Sequence, residues 1–256
     1  MSGASATATM LTFQPMIDSE TTRLVARYHG IDVTERDHLL VSALVRTRFH
    51  GGDGHVPLLF GKGFALTGPY PIAQHFDAAL PAARRLIPTE QPLAAEVAAD
   101  WQRYNGGMGT DVAVFAYHHL LPERALMEPI FAAPVPWLEA RLLPLTYPIL
   151  RAVITFGLKL SAERAAAAAV RIRASFDATD RRVADGRTYL AGDRLTIADI
   201  ALCAAAAPLL LPRGYGALMP SLEAMPATLR TLMEELRARP TAAFVQRLYD
   251  HGFTGS

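Results

Sequence analysis

The sequence predicts a two-part α/β-then-α protein: a small α/β domain over residues 10–80 followed by an all-helical domain over residues 89–251. Three observations carry this. Short apolar runs and glycine turns crowd the first 80 residues. Helix-period patterns with proline and glycine stops fill the remainder. Between them, prolines flank a short polar connection at 81–88.

The elements follow in order. Leu11–Phe13 is a short apolar run ended by Gln14 and Pro15. A helix follows, with Leu24, Val25 and Tyr28 on one face and Gly30 as its stop. Ile31 and Val33 alternate with polar residues as a second strand. Residues 34–54 are less regular and close on Gly51-Gly52-Asp53-Gly54. Residues 56–60, a Gly61-Lys62-Gly63 turn and residues 64–66 read as a hairpin. Pro71–Phe76 opens another helix, with proline early, where its missing N–H is tolerated. The order is β-α-β-(α)-β-β-α.

The second part reads as helices at 91–104 (loosened at Gly106, Gly107 and Gly109), 110–121, 124–132 and 136–159. The last is expected to be broken by Pro144 and Pro148. A long helix at 161–185 has Ser161 as N-cap and Glu163 in its first turn. Helices at 197–211, 226–238 and 240–250 complete the chain. Thr196 and Asp199 are spaced for a capping box, with Leu195 and Ile200 as its apolar staple.

Composition narrows the function. Of 256 residues, 51% are hydrophobic and 19% charged, which excludes general disorder. The 25 basic residues balance 24 acidic ones, so no strong field draws the chain to nucleic acid or an anionic membrane. One cysteine, Cys203, excludes an internal disulfide framework and a cysteine-rich zinc site. His118 and His119 are adjacent, so on a helix they diverge by about 100° and do not chelate one ion together; no metal is expected. Asp100 and His75 are acid/base candidates that nothing pairs in sequence. Residues 1–9 lack a signal peptide's charged start and apolar run. The apolar stretch 134–160 is interrupted by Glu139, Arg141, Arg151 and Lys159, so no spanning helix is expected there. The expectation is a cytoplasmic protein.

The β-α-β-α-β-β-α unit, Val56-Pro57 before its third strand, and the stretch Tyr189-Leu-Ala-Gly-Asp-Arg-Leu-Thr-Ile-Ala-Asp199 in the helical half resemble the cytosolic glutathione S-transferases. The resemblance spans about residues 10–250. It implies a thioredoxin-like first domain, an all-helical second domain, a homodimer, a glutathione site on the first domain and an apolar pocket between the two. It implies a cis Pro57, with the backbone of Val56 gripping glutathione, and a γ-glutamyl site at Thr67, Gly68, Pro69 and Tyr70. The activating hydroxyl or thiol of the family aligns with Met16, whose thioether donates no hydrogen bond. Ser19 is the nearest substitute for it, and equally, with Asp18, an N-cap. Gly68-Pro69 stands where the family has an acidic residue and serine. Asp18 and Glu20 would raise the pKa of a thiol bound beside them.

The pocket residues implied are Gln14, Met16, Trp101, Tyr104, Met108 and Tyr117, a wall suited to a small hydrophobic molecule. Three functions stay open. One is a transferase-type enzyme joining glutathione to a small hydrophobic electrophile. The second is a protein that binds or transforms a small molecule without glutathione, as carrier, isomerase or cyclase. The third is a noncatalytic dimerising module, for which Trp101, Tyr104 and Tyr117 would fill the pocket.

Overall fold

The structure, a computed structural model, describes residues 7–253; most of the N-terminal stretch considered for a signal peptide, Met1–Ala6, lies outside them. Four strands, β1 (Thr7–Thr12), β2 (Asp32–Asp37), β3 (Leu58–Gly61) and β4 (Phe64–Thr67), form one mixed sheet in the order β2-β1-β3-β4. β1 and β2 pair in parallel, Thr7 opposite Asp32 through Thr12 opposite Asp37. The other two pairs are antiparallel. α1 (Ile17–Tyr28) crosses between β1 and β2, α2 (Leu40–Phe49) follows β2, and α3 (Pro69–Asp77) ends the unit. The first strand begins earlier than its apolar run indicated, because Thr7–Met10 pairs with a mostly polar β2 whose exposed Asp32, Glu35 and Arg36 suit a sheet edge.

The helical part comprises α4 (Leu93–Trp101), a π-helical segment at Gln102–Met108, α5 (Gly109–Leu120), α6 (Arg124–Ala132), α7 (Trp137–Leu158), α8 (Ala162–Val183), α9 (Ile197–Leu210), α10 (Ala227–Arg237) and α11 (Pro240–His251). Among the described residues no single helix is long and apolar enough to cross a membrane.

α9 is the core of this half: every one of its residues is buried, Pro208 and Cys203 included. It starts inside the protein because its end is capped. Asp199 Oδ2 accepts from the Thr196 N–H (2.9 Å), and Oδ1 accepts from the Leu190 N–H at 2.7 Å. Burial pushes the Asp199 carboxyl up to about 6 despite these bonds. α8 lays a small-residue stripe against the bundle, with Ala165, Ala168, Ala169, Ile172 and Phe176 buried, and Ser161 caps it by accepting from the Arg164 N–H at 3.1 Å.

α7 is one helix, not two. Pro148 removes the N–H that would meet the Pro144 carbonyl, and Arg124 Nη2 supplies a donor there at 2.6 Å. That carbonyl is satisfied from a neighbouring helix, and the chain is helical through Pro144 and Pro148. The opposite face of α7 leaves Trp137, Leu138, Leu142, Leu145, Ile149 and Phe156 exposed. From its first turn, Glu139 reaches the start of α2: Oε2 accepts from the Leu39 N–H (2.8 Å), and Oε1 accepts from the Ser42 hydroxyl (2.9 Å) and meets His38 Nδ1 at 2.6 Å. α2 has no cap of its own, and α7 lends one.

The two parts are stitched at several points. The Asp77 carboxylate accepts from the N–H groups of Leu86 and Ile87 in the connection, and the Leu86 carbonyl accepts from Ile197. The strongest junction is Glu20 on α1, with its side chain buried. Its Oε1 accepts from the Tyr249 hydroxyl of α11 at 2.8 Å, and its Oε2 from Arg23 (3.1 Å) and the Gly216 N–H (3.2 Å). Arg23 also holds Glu35 of β2 through two nitrogens. Gly216 must be glycine for this approach: a Cβ would lie 2.5 Å from Arg23 Cδ and 2.9 Å from Glu20 Oε2.

Two outcomes test this account. Glu20→Ala strands three donors in the interior and is expected to cost about 3–5 kcal/mol in urea unfolding, against about 1–3 kcal/mol for Tyr249→Phe. Asp37, at the end of β2, has a buried Oδ1 without a partner. Burial, aided by the Glu35 charge, raises its carboxyl from 3.8 to about 6. A raised acid holds its proton more tightly when folded, so the stability it contributes is lost as pH rises from about 4 to 6. Asp37→Asn is therefore expected to stabilise by about 1–2 kcal/mol at pH 7.5, discounted for partial exposure, and to be neutral at pH 4.

Candidate functional site

The loop after β1 and the first turn of α1 face the helical part across a cavity of about 480 Å³. Phe13, Met16, Ile17 and Asp18 form its α/β wall. Asn105 and Thr110, with Ala113, Ala116, Tyr117 and Leu120 from α5, form the opposite one, and Val153, Ile154, Gly157 and Leu158 of α7 close a third side. The lining is apolar apart from a few groups. Among the described residues Asp18 is its one acidic or basic side chain; Asn105, Thr110 and Tyr117 add neutral polar atoms. The Thr110 hydroxyl is engaged with the Gly106 carbonyl at 2.6 Å.

The π-helical segment shapes this wall. Its closing bond runs from the Gly109 N–H back to the Tyr104 carbonyl, five residues away. Gly106, Gly107 and Gly109 fall in or next to it, where the sequence had indicated only a loosening. The extra residue in the turn buries Tyr104 and Met108 in the core and sets Asn105 on the cavity.

The residues singled out in the sequence divide accordingly. Met16 and Tyr117 line the cavity. Trp101, Tyr104 and Met108 are buried in the core, where the Tyr104 hydroxyl meets Thr179 at 3.1 Å and Trp101 packs against Tyr70 at 5.3 Å between ring centroids. Gln14 tethers the loop above by accepting from the Leu218 N–H at 2.9 Å. Ser19 is fully buried: its hydroxyl pairs with Thr12 and donates to the Phe13 carbonyl at 3.2 Å. The N-cap of α1 is Met16, with no side-chain bond, so neither Ser19 nor Asp18 caps that helix. Asp100 is an ion-pair partner of Arg182 and Arg103, and His75 packs on Phe64. Among the described residues no three His, Cys, Asp or Glu side chains gather as a metal set. Cys203 is buried in α9, where burial pushes its thiol well up.

On the α/β side, the Val56-Pro57 bond is cis, and the Pro57 carbonyl accepts from the Gly68 N–H at 3.0 Å. Gly68 adopts φ +81°, the left-handed region that glycine enters without penalty, and Pro69 starts α3. The Thr67 hydroxyl bonds Asp53.

Asp18 and Asn105 went unrecognised as site residues in the sequence. Asp18 sits two positions after Met16, in the turn of α1 that meets the cavity. The Asn105 amide bonds its carboxylate, and burial, the larger influence, holds that carboxyl above its ordinary value. Asn105 Oδ1 is buried without a partner. The Tyr117 hydroxyl is likewise buried without a partner, and burial pushes it up.

Residues 143–240 match the family model described as glutathione S-transferase, C-terminal domain. A glutathione S-transferase from Sinorhizobium meliloti superposes with a TM-score of 0.55 at 17% identity, over 94% of this chain and 92% of that one. One of Ceriporiopsis subvermispora, in complex with glutathione, gives 0.58 at 17% identity over 95% and 96%. FzlA from C. crescentus gives 0.57 at 15% identity over 96% and 99%. At such identity these structures speak for the fold alone. No curated protein matches the sequence. Residues 143–240 thus match the family's C-terminal domain, and the chain as a whole shares the fold of the glutathione S-transferases.

The shared fold raises the question of glutathione, and the residues that the resemblance assigns to its thiol do not fit its activation. Met16 offers a thioether, the Thr12 and Ser19 hydroxyls are spent on each other inside the sheet–helix junction, and Asp18 sets a carboxyl beside the helix end that would favour a thiolate. Gly68 and Pro69, where the resemblance puts the γ-glutamyl site, offer no side-chain donor or acceptor.

Proposed function

We propose that this chain binds a small, largely apolar molecule in its interdomain cavity, to carry or transform it, and does so without activating the thiol of glutathione. The observation that supports this most is the cavity itself: open, about 480 Å³, within the size range of small-molecule sites, and walled by Met16 where the family places its activating group. An open cavity beside Tyr117 also speaks against a purely noncatalytic module whose aromatic residues fill the space.

A neutral fluorescent probe, N-phenyl-1-naphthylamine, is expected to bind saturably at one site. Ala113→Trp, which fills the cavity, is expected to weaken it about tenfold or more. Millimolar glutathione is expected neither to compete with the probe nor to give heat in isothermal titration; glutathione conjugation by the unaltered protein would overturn the proposal.

A second reading, transfer of glutathione to a small hydrophobic electrophile, draws support from the fold shared with the glutathione-bound Ceriporiopsis protein. Met16→Ser with Gly68→Glu and Pro69→Ser separates the two: a gain of conjugation over the parent favours thiol-independent chemistry, equal activity favours transfer.

The homodimer implied by the family resemblance belongs to the same proposal, supported by the exposed apolar face of α7. Light scattering after size exclusion is expected to give twice the chain mass, and Leu145→Asp with Phe156→Asp to shift it to the monomer.

A further inference from the structure

The small-molecule reading of the cavity leaves open what its polar end selects, and any selectivity of that end rests on that reading. The end is unusual in its charge. Among the described residues the lining holds one carboxyl, Asp18, and no Arg, Lys or His. Asn105 is turned so that its amide donates to Asp18, which leaves its Oδ1 as a buried acceptor without a partner. Asp18 is therefore the charged group of the lining, with the Asn105 amide beside it and no cation among the lining residues to match it.

A ligand meets that carboxylate by donating to it. A carboxylate, sulfonate or thiolate would place a second negative charge beside Asp18 in surroundings of low polarity, which is costly. An alcohol would donate one bond to Asp18 and leave its charge uncompensated. An ammonium has several N–H donors and a charge, so it meets the carboxylate through charge-assisted bonds and compensates its charge. The upward push of burial on the Asp18 carboxyl points the same way, since a partly desolvated carboxylate gains most from a cation. The rest of the cavity, between Phe13, Ala116, Leu120, Met127 and Ile154, is apolar and suits a hydrocarbon or aromatic body.

We propose that the cavity is selective for an apolar primary amine, whose ammonium pairs with Asp18 while its tail lies between α5 and α7.

Three ligands of one shape test this on the full chain by isothermal titration at pH 7.5: 4-phenylbutylamine, 4-phenylbutan-1-ol and 4-phenylbutyric acid. The amine is expected to bind about tenfold more tightly than the acid or better, with the alcohol between them. In Asp18→Asn, checked for an unchanged unfolding transition, the advantage of the amine over the alcohol is expected to vanish. If the acid binds as tightly as the amine, or if the amine keeps its advantage in Asp18→Asn, the selectivity is overturned while the cavity reading stands. If none of the three binds, both fall.

Discussion

A carboxylate buried in a protein must have its lone pairs met, and Glu20 is where this structure accepts that obligation. Its three donors come from α1 itself, from the loop before α10 and from α11, which is almost the end of the chain. The residue lies in the second half of the first turn of α1, so the helix that carries Met16 and Asp18 to the cavity is held by the same bonds that close the protein. Arg23 extends the hold to β2. The cavity wall is thus positioned by an interaction made some 200 residues apart in sequence, outside the cavity.

Much of the fold was legible because local chemistry and tertiary need agree. Gly30, the Lys62-Gly63 turn, Ser161 and the Thr196–Asp199 box each mark an element boundary where the structure has one. α9 read as buried from its unbroken apolar run and is buried on every side. The failures occur where a distant partner supplies what the local sequence lacks. Pro148 should break a helix, and Arg124, on another helix, supplies the donor that it lacks. α2 looked irregular because it carries no cap; Glu139 caps it from about 100 residues away.

The site was legible by subtraction. Against the family resemblance, Met16, Gly68 and Pro69 lack the expected side-chain groups, and the structure adds that Ser19 is occupied inside the junction. What the site contains instead was hidden. Asp18 resembled a helix cap, and Asn105 an ordinary polar residue before a glycine pair. Only their juxtaposition across the gap between α1 and the π-helical segment gives them a role. Tyr104 illustrates the converse: an aromatic beside a glycine break reads as a pocket residue, but one extra residue in the turn carries it into the core.

That extra residue has a bearing on how the chain can change. A π-helical turn is an α-helix with one residue inserted, and each residue advances a helix by about 100°. Deleting one position between Gln102 and Met108 would restore a regular helix from α4 into α5 and rotate the rest of α5 by that angle. Asn105, Thr110 and Tyr117 would lose their alignment with Asp18 together. The composition of the cavity can therefore drift by substitution at single positions, whereas its polar end can be gained or lost in one insertion or deletion.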